Sequence, residues 1–214
     1  MTEVQILIGA YILCDDMSNK ELLIKLKEFI DIEFKQILID GKQISIDVGA
    51  CYTVSKVAVG ILKHLGYNCR VQRVEVISGN KKGRELFSKQ SKSGRYDKSE
   101  IIAEGGWIIG LGVSPQFHYI IVFPDEKEIM DLTFGQANRP QYELIAEPYW
   151  SDEKSLPETV IMVNLVIDEK DVPENFNPVF DYSKYRRLFK KIIKKGAKEL
   201  QSCAVVSCEQ KVRK

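Results

Sequence analysis

Three stretches of this chain carry a helical period of apolar positions. Leu22, Leu23, Leu26, Phe29 and Ile30 recur at that spacing. They predict an amphipathic helix to about Lys35, with Asp16 or Ser18 as its cap and Gly41 breaking the pattern. Val54, Val57, Ala58, Ile61, Leu62 and Leu65 follow the i, i+3, i+4 rule without a miss. That helix starts near Cys51, after Asp47 and Gly49, and Gly66 supplies the left-handed stop. Tyr185, Leu188, Phe189, Ile192 and Ile193 share one side of a third helix over 182–200, with basic residues on the other.

Between these helices the period shortens. Residues 70–77 are β-rich and begin soon after the Gly66 stop, so they read as a strand. Residues 118–123 and 128–133 are two β-like runs split by Pro124-Asp125-Glu126-Lys127, a hairpin signal. Residues 159–167 read as a further strand, and Pro173 and Pro178 mark a linker. The apolar run 6–14 fits a helix or a strand equally well. Residues 78–100 are polar, rich in Lys, Ser and Gly, and read as a long irregular insertion of the kind that is either a lid or disordered. Residues 107–113 are Gly-rich and apolar.

The chain has 214 residues, 44% hydrophobic and 29% charged, enough for a core without staples. The formal net charge of +1 excludes a strong overall pull on nucleic acid or membrane. That average hides an asymmetry. Residues 181–214 hold 11 basic and 3 acidic side chains, a balance of 11 − 3 = +8, so the remainder carries 1 − 8 = −7. The expected organisation is one domain over 1–180, followed by a basic amphipathic helix and a loose tail over 181–214. Five cysteines, Cys14, Cys51, Cys69, Cys203 and Cys208, do not make a disulfide framework; reduced thiols in a cytoplasmic protein are the simpler expectation. The apolar run 4–14 has neither a basic n-region nor a small-residue cleavage site, so it does not read as a signal peptide. No stretch has the length of a membrane-spanning helix. No set of Cys and His has metal-ligand spacing, so neither a structural zinc nor any other cofactor is expected.

The candidate chemistry centres on Cys51, His118 and Asp131. A thiolate attacks acyl carbons, and the orphan N–H groups and partial positive charge at a helix start favour that anion. The Cys51 amide can also help to stabilise an oxyanion. The base is chosen by elimination. His64 lies 13 positions (64 − 51) along the same helix, roughly 20 Å away at the helical rise and far beyond hydrogen-bond reach. The other histidine is His118. Hairpin parity then tests Asp131. A two-residue loop sets His118 opposite Asp131, and a four-residue loop pairs His118 with Thr133 and leaves Asp131 one diagonal step away. Both keep the two side chains on one face; an odd loop would separate them. On the same face, Asp131 orients the ring of His118 and stabilises its cation.

Taken singly, each residue has a bland reading: a small core thiol, a structural strand histidine, a turn aspartate. The combination favours a Cys-His-Asp triad.

Gly49-Ala50-Cys51, Leu65-Gly66-Tyr67, Cys69-Arg70-Val71, His118-Tyr-Ile-Ile-Val122 and Asp131-Leu132-Thr133 together resemble the transglutaminase-like group of the papain-like cysteine enzyme superfamily. The same core is similar to arylamine N-acetyltransferases, in which a Phe-Gly pair follows the Asp, as Phe134-Gly135 does here. The resemblance covers about residues 45–140. It implies an α+β papain-like fold, with the Cys-bearing helix packed on an antiparallel sheet. It also implies acyl transfer through a thioester, on a peptide or protein amide, as a peptidase, amidase, deamidase or transglutaminase. Such enzymes use a polar side chain in the oxyanion hole, for which Gln43 and Gln116 are the candidates. Trp107 with its neighbouring glycines, and Gln136 with Arg139, are candidates to line the cleft or else belong to core and surface turn.

The rival expectation is a catalytically inactive papain-like module that binds an acidic partner through its basic C-terminal helix. No nucleic-acid motif accompanies that helix, so no specific nucleic acid is expected.

Overall fold

A computed structural model of the protein describes residues 17–39, 42–43, 50–92, 94–110, 117–165 and 183–212. The expectations at 6–14, Asp16, Gly41, Gln116, Pro173 and Pro178 lie outside these residues. The fold is α+β.

Helix α1 (Asn19–Lys35) begins where Ser18 accepts a hydrogen bond from the Glu21 amide at 3.2 Å, and it buries Leu22, Leu23, Leu26, Phe29, Ile30 and Phe34. A two-strand ribbon, β1 (Leu38–Ile39) and β2 (Lys42–Gln43), follows. Helix α2 (Cys51–His64) buries the apolar positions read from the sequence, and it ends at Leu65 before Gly66, whose φ of +95° is the left-handed stop.

Strand β3 (Arg70–Ser78) is the hub of an antiparallel six-stranded sheet. β5 (His118–Phe123) pairs with its first half and β4 (Trp107–Ile109) with its end, while β8 (Val160–Leu165) pairs along Val74–Ser78. Because β8 overlaps both partners, β4 and β5 share one edge of β3 and β8 takes the other. The sheet continues through β6 (Glu128–Asp131) to β7 (Tyr149–Asp152), a strand that carries no clear alternation in the sequence.

Side-chain alternation splits the sheet into two faces. Ile121, Phe123, Met130 and Leu132 join the main core with α1 and α2. Val74, Val76, Ile120, Val122 and Ile129 form a second core with Phe134 and Tyr149. Helix α5 (Arg186–Val212) extends beyond the expected 182–200 and belongs to the main core through Phe189, Ile192, Ile193 and Leu200. Phe189 stacks on Phe34 with ring centroids 5.9 Å apart. Burying each of these large side chains stabilises the helix by about 1.5–3 kcal/mol before entropy is counted.

The irregular insertion expected over 78–100 is overturned: it folds as α3 (Lys81–Ser91) and α4 (Lys98–Ala103). Two of its polar residues are helix caps. Asn80 accepts from the Gly83 amide at 2.9 Å, and Asp97 accepts from Ser99 and Glu100 at 2.8 and 3.2 Å. A few apolar side chains, Leu86, Phe87, Tyr96 and Ile101 of α4, suffice to seat the pair on Ile77 and Ile108. Arg84 clamps it further by donating to the carbonyls of Glu158 and Val160. A short helix needs so few apolar contacts that its period is too weak to read.

Candidate active site

The β5–β6 hairpin pairs Phe123 with Glu128 across a four-residue loop, so the parity holds and Asp131 sits diagonally from His118. β6 ends at Asp131 rather than Thr133, because the chain turns there into a 3-10 segment, Phe134–Ala137. The turn is what positions the carboxylate. Asp131 Oδ1 accepts from the Thr133 amide at 2.9 Å and from Thr133 Oγ1 at 3.2 Å. Its Oδ2 is then left for the imidazole, and His118 Nε2 lies 2.6 Å from it. A carboxylate only accepts, so Nε2 carries the proton and donates.

This pair is closed off from water: His118 is 0% exposed and Asp131 1%. Trp107, on β4, meets the His118 ring edge to face, with centroids 5.4 Å apart and planes at 89°. Tyr149, opposite Asp131 in the β6–β7 register, is also buried. Burial, with the Asp131 charge adding to it, holds the Tyr149 phenol well above its ordinary pKa, so it keeps its proton.

Cys51 occupies the first position of α2 and is 5% exposed. Ala50, at the cap position, supplies no side-chain acceptor to the helix start. α2 packs on the face of the sheet opposite to the one that carries His118, and its first turn reaches the beginning of β5. There Ser55 Oγ, one turn past Cys51, donates to the Tyr119 carbonyl at 3.1 Å, and the Tyr52 ring stands edge-on to Tyr119 with centroids 4.9 Å apart. The thiol thereby comes within electrostatic range of the ring of His118. His118 Nδ1 is buried and makes no formed hydrogen bond. With Nε2 committed to Asp131, it is the nitrogen left to serve the sulfur.

The electrostatics agree with that arrangement. Burial alone would lower the imidazole pKa, because it penalises the cation. The Asp131 charge and hydrogen bond, with Cys51 adding to them, outweigh it, and His118 is raised from 6.5 to about 10. The ring therefore stays protonated at neutral pH and presents a cation to the thiol. Tyr119 is pushed up to about 12 by burial, against the pull of Arg73 and with additions from Cys51 and Tyr52. Cys69 is a different kind of thiol. Burial pushes it up to about 12 although Lys63 pulls the other way, so it stays protonated and inert.

Of the residues singled out in the sequence, the structure brings together Cys51, His118, Asp131 and Trp107. Gln136 lies in the 3-10 segment after β6, with its Nε2 buried and lacking a hydrogen-bond partner. Gln43 lies in the β1–β2 ribbon, and its side chain is outside the described residues. His64 bonds the Gly60 carbonyl on its own helix at 2.8 Å. Sequence reasoning missed two contributors. The Thr133 hydroxyl and amide fix Asp131, for which the Asp-x-Thr spacing was the signal. Ser55 ties α2 to β5, and a small hydroxyl among the apolar positions of the helix was its signal.

Among the described residues no group of three or more His, Cys, Asp or Glu side chains is placed to hold a metal ion, and no helix is long and apolar enough to cross a membrane. An open groove of about 570 Å³ between α3 and α4, lined by Gln90, Arg95, Tyr96, Asp97 and Lys98, contains none of Cys51, His118 and Asp131. The chain matches no protein-family model, no curated protein and no solved structure.

Proposed function

We propose that the protein is a cysteine-dependent acyl-transfer enzyme of transglutaminase-like, papain-like type, with Cys51 as nucleophile, His118 as proton shuttle and Asp131 as the group that orients and charges the ring. The observation that carries this reading is the buried His118–Asp131 bond of 2.6 Å, with the second ring nitrogen left for the thiol. A histidine held only for structure has no need of a buried carboxylate on one nitrogen and a thiol beside the ring.

In the proposed cycle the Cys51 sulfur attacks an amide carbonyl carbon. The sulfur attacks as a thiolate whose proton His118 Nδ1 already holds, and the carbonyl π-bond pair moves to oxygen. The Cys51 amide, at the helix start, is placed to donate to that oxyanion. Collapse re-forms the carbonyl and expels the amine, which takes the proton from Nδ1. Water or a second amine then attacks the thioester and gives one proton to the ring, which keeps it beside the thiolate that collapse expels. Asp131 remains a carboxylate throughout.

The test is a thiol-reactive acylating probe of amide-substrate type, with the labelled residue read by mass. Cys51 is expected to label fastest near neutral pH, and His118→Ala is expected to slow it by about 10²-fold or more, in line with general acid–base contributions. Labelling of Cys51 no faster than that of Cys69 would overturn the proposal.

A further inference from the structure

We propose that α5 docks the protein onto an anionic lipid surface through its solvent face. Every exposed position from 184 to 198 is a lysine or an arginine, while Phe189, Ile192, Ile193 and Ala197 turn inward to the core. No acidic residue interrupts that stretch. Lys195 is committed to Glu33 at 2.6 Å. Arg186, Arg187, Lys190, Lys191, Lys194 and Lys198 form no ion pair among the described residues. From Arg186 to Lys198 the stripe is about 18 Å long at the helical rise. Because the opposite side of the helix is packed in the core, the charges sit on a rigid, preformed face, and no segment has to be ordered on contact.

Two features favour lipid headgroups over nucleic acid. The exposed positions of the stripe carry no aromatic, amide or hydroxyl side chain with which to stack on or read a base. Lysine outnumbers arginine, and lysine acts as a hydrated point charge rather than a bidentate phosphate fork. The remainder of the chain carries −7, so it is repelled by the same surface and the orientation is set: α5 toward the lipid, the rest away from it. α2 lies between α5 and the sheet, so a docked helix leaves the sheet side clear.

The test is co-sedimentation of the full chain with phosphatidylcholine vesicles, with and without about 30 mol% phosphatidylserine, at low and at about 0.5 M salt. Binding is expected only with phosphatidylserine and only at low salt. Each cation near such a surface contributes about fivefold, so Lys190→Gln, Lys191→Gln and Lys194→Gln together are expected to weaken binding by about 100-fold. The control carries the same charge change at other exposed sites, Lys81→Gln, Lys89→Gln and Lys92→Gln, and is expected to bind within a few-fold of the unmodified chain. Three results would each overturn the proposal: no phosphatidylserine-dependent binding, equal loss in both variants, or tighter binding to an RNA or DNA oligonucleotide than to the vesicles. None of these outcomes depends on Cys51 being reactive.

Discussion

Replacing Asp131 with Asn removes one charge and almost no volume, and its consequences follow from the buried pair. In the native protein His118 binds its proton with a pKa of about 10, against 6.5 unperturbed. A folded pKa raised above the unfolded one stabilises the fold in full below about pH 6.5, and that stability is lost as pH rises toward about 10. The ceiling is 10 − 6.5 = 3.5 units, which at 1.36 kcal/mol per unit is about 5 kcal/mol. In Asp131→Asn the carboxylate is gone and burial dominates, so the ring is held neutral. The sign of the slope then reverses: stability rises with pH through the unfolded pKa and stays flat above it. Asn Oδ1 can still accept from Thr133, but its amide then faces Nε2 with a donor. The ring must flip its tautomer to accept, which puts a proton on Nδ1, where the thiol needs a base. Cys51-dependent turnover is expected to fall by about 10³–10⁴-fold, the scale seen when triads lose their carboxylate. The assay is urea unfolding of both proteins at steps from about pH 6 to about pH 10, beside rate measurements at each pH. Parallel stability curves, or a native protein whose stability does not decline between about pH 7 and 10, would refute the assignment of a charged, buried His118–Asp131 pair.

Ser55→Ala removes the bond to the Tyr119 carbonyl; a cost of about 1–2 kcal/mol, less about 0.5 for the better helix former, is expected in unfolding experiments. The same variant is expected to shift the pH profile of Cys51 alkylation, and an unchanged profile would reduce Ser55 to a structural contact. Cys69, raised to about 12, is expected to resist iodoacetamide in the native protein at about pH 8, and mass mapping that finds it labelled as fast as Cys51 would contradict its burial. Gly105→Ala places a methyl 2.2 Å from the Tyr142 side chain at a φ of +88°. A loss of at least about 2 kcal/mol, seen as a Tm lowered by roughly 4–8 °C, is expected, and an unchanged Tm would show that the turn can rearrange.

Where a residue's environment is local, the sequence was a good guide. The α1 and α2 stripes read cleanly because one helix face meets one core. The hairpin parity could be enumerated because side chains alternate strictly along a strand. The same logic failed over 78–100, where caps and a satellite cluster hold two helices that lack a long apolar stripe. It also missed β7, whose residues pair only because β6 offers a free edge.

Chain order and residue type by themselves determined the helix that starts at Cys51, the single histidine eligible to meet it and the condition on Asp131. They could not determine how the three meet. α2 packs on one face of the sheet while His118 and Asp131 point to the other, so the thiol reaches the ring only because the start of α2 is held at the start of β5 by Ser55 and Tyr52. The turn after β6 decides which carboxylate oxygen faces the ring, through Thr133. The Asp131 carboxylate, acting against burial, decides that His118 is a cation near neutral pH. Each of these depends on long-range packing and on exclusion of water, quantities that no local window of sequence contains.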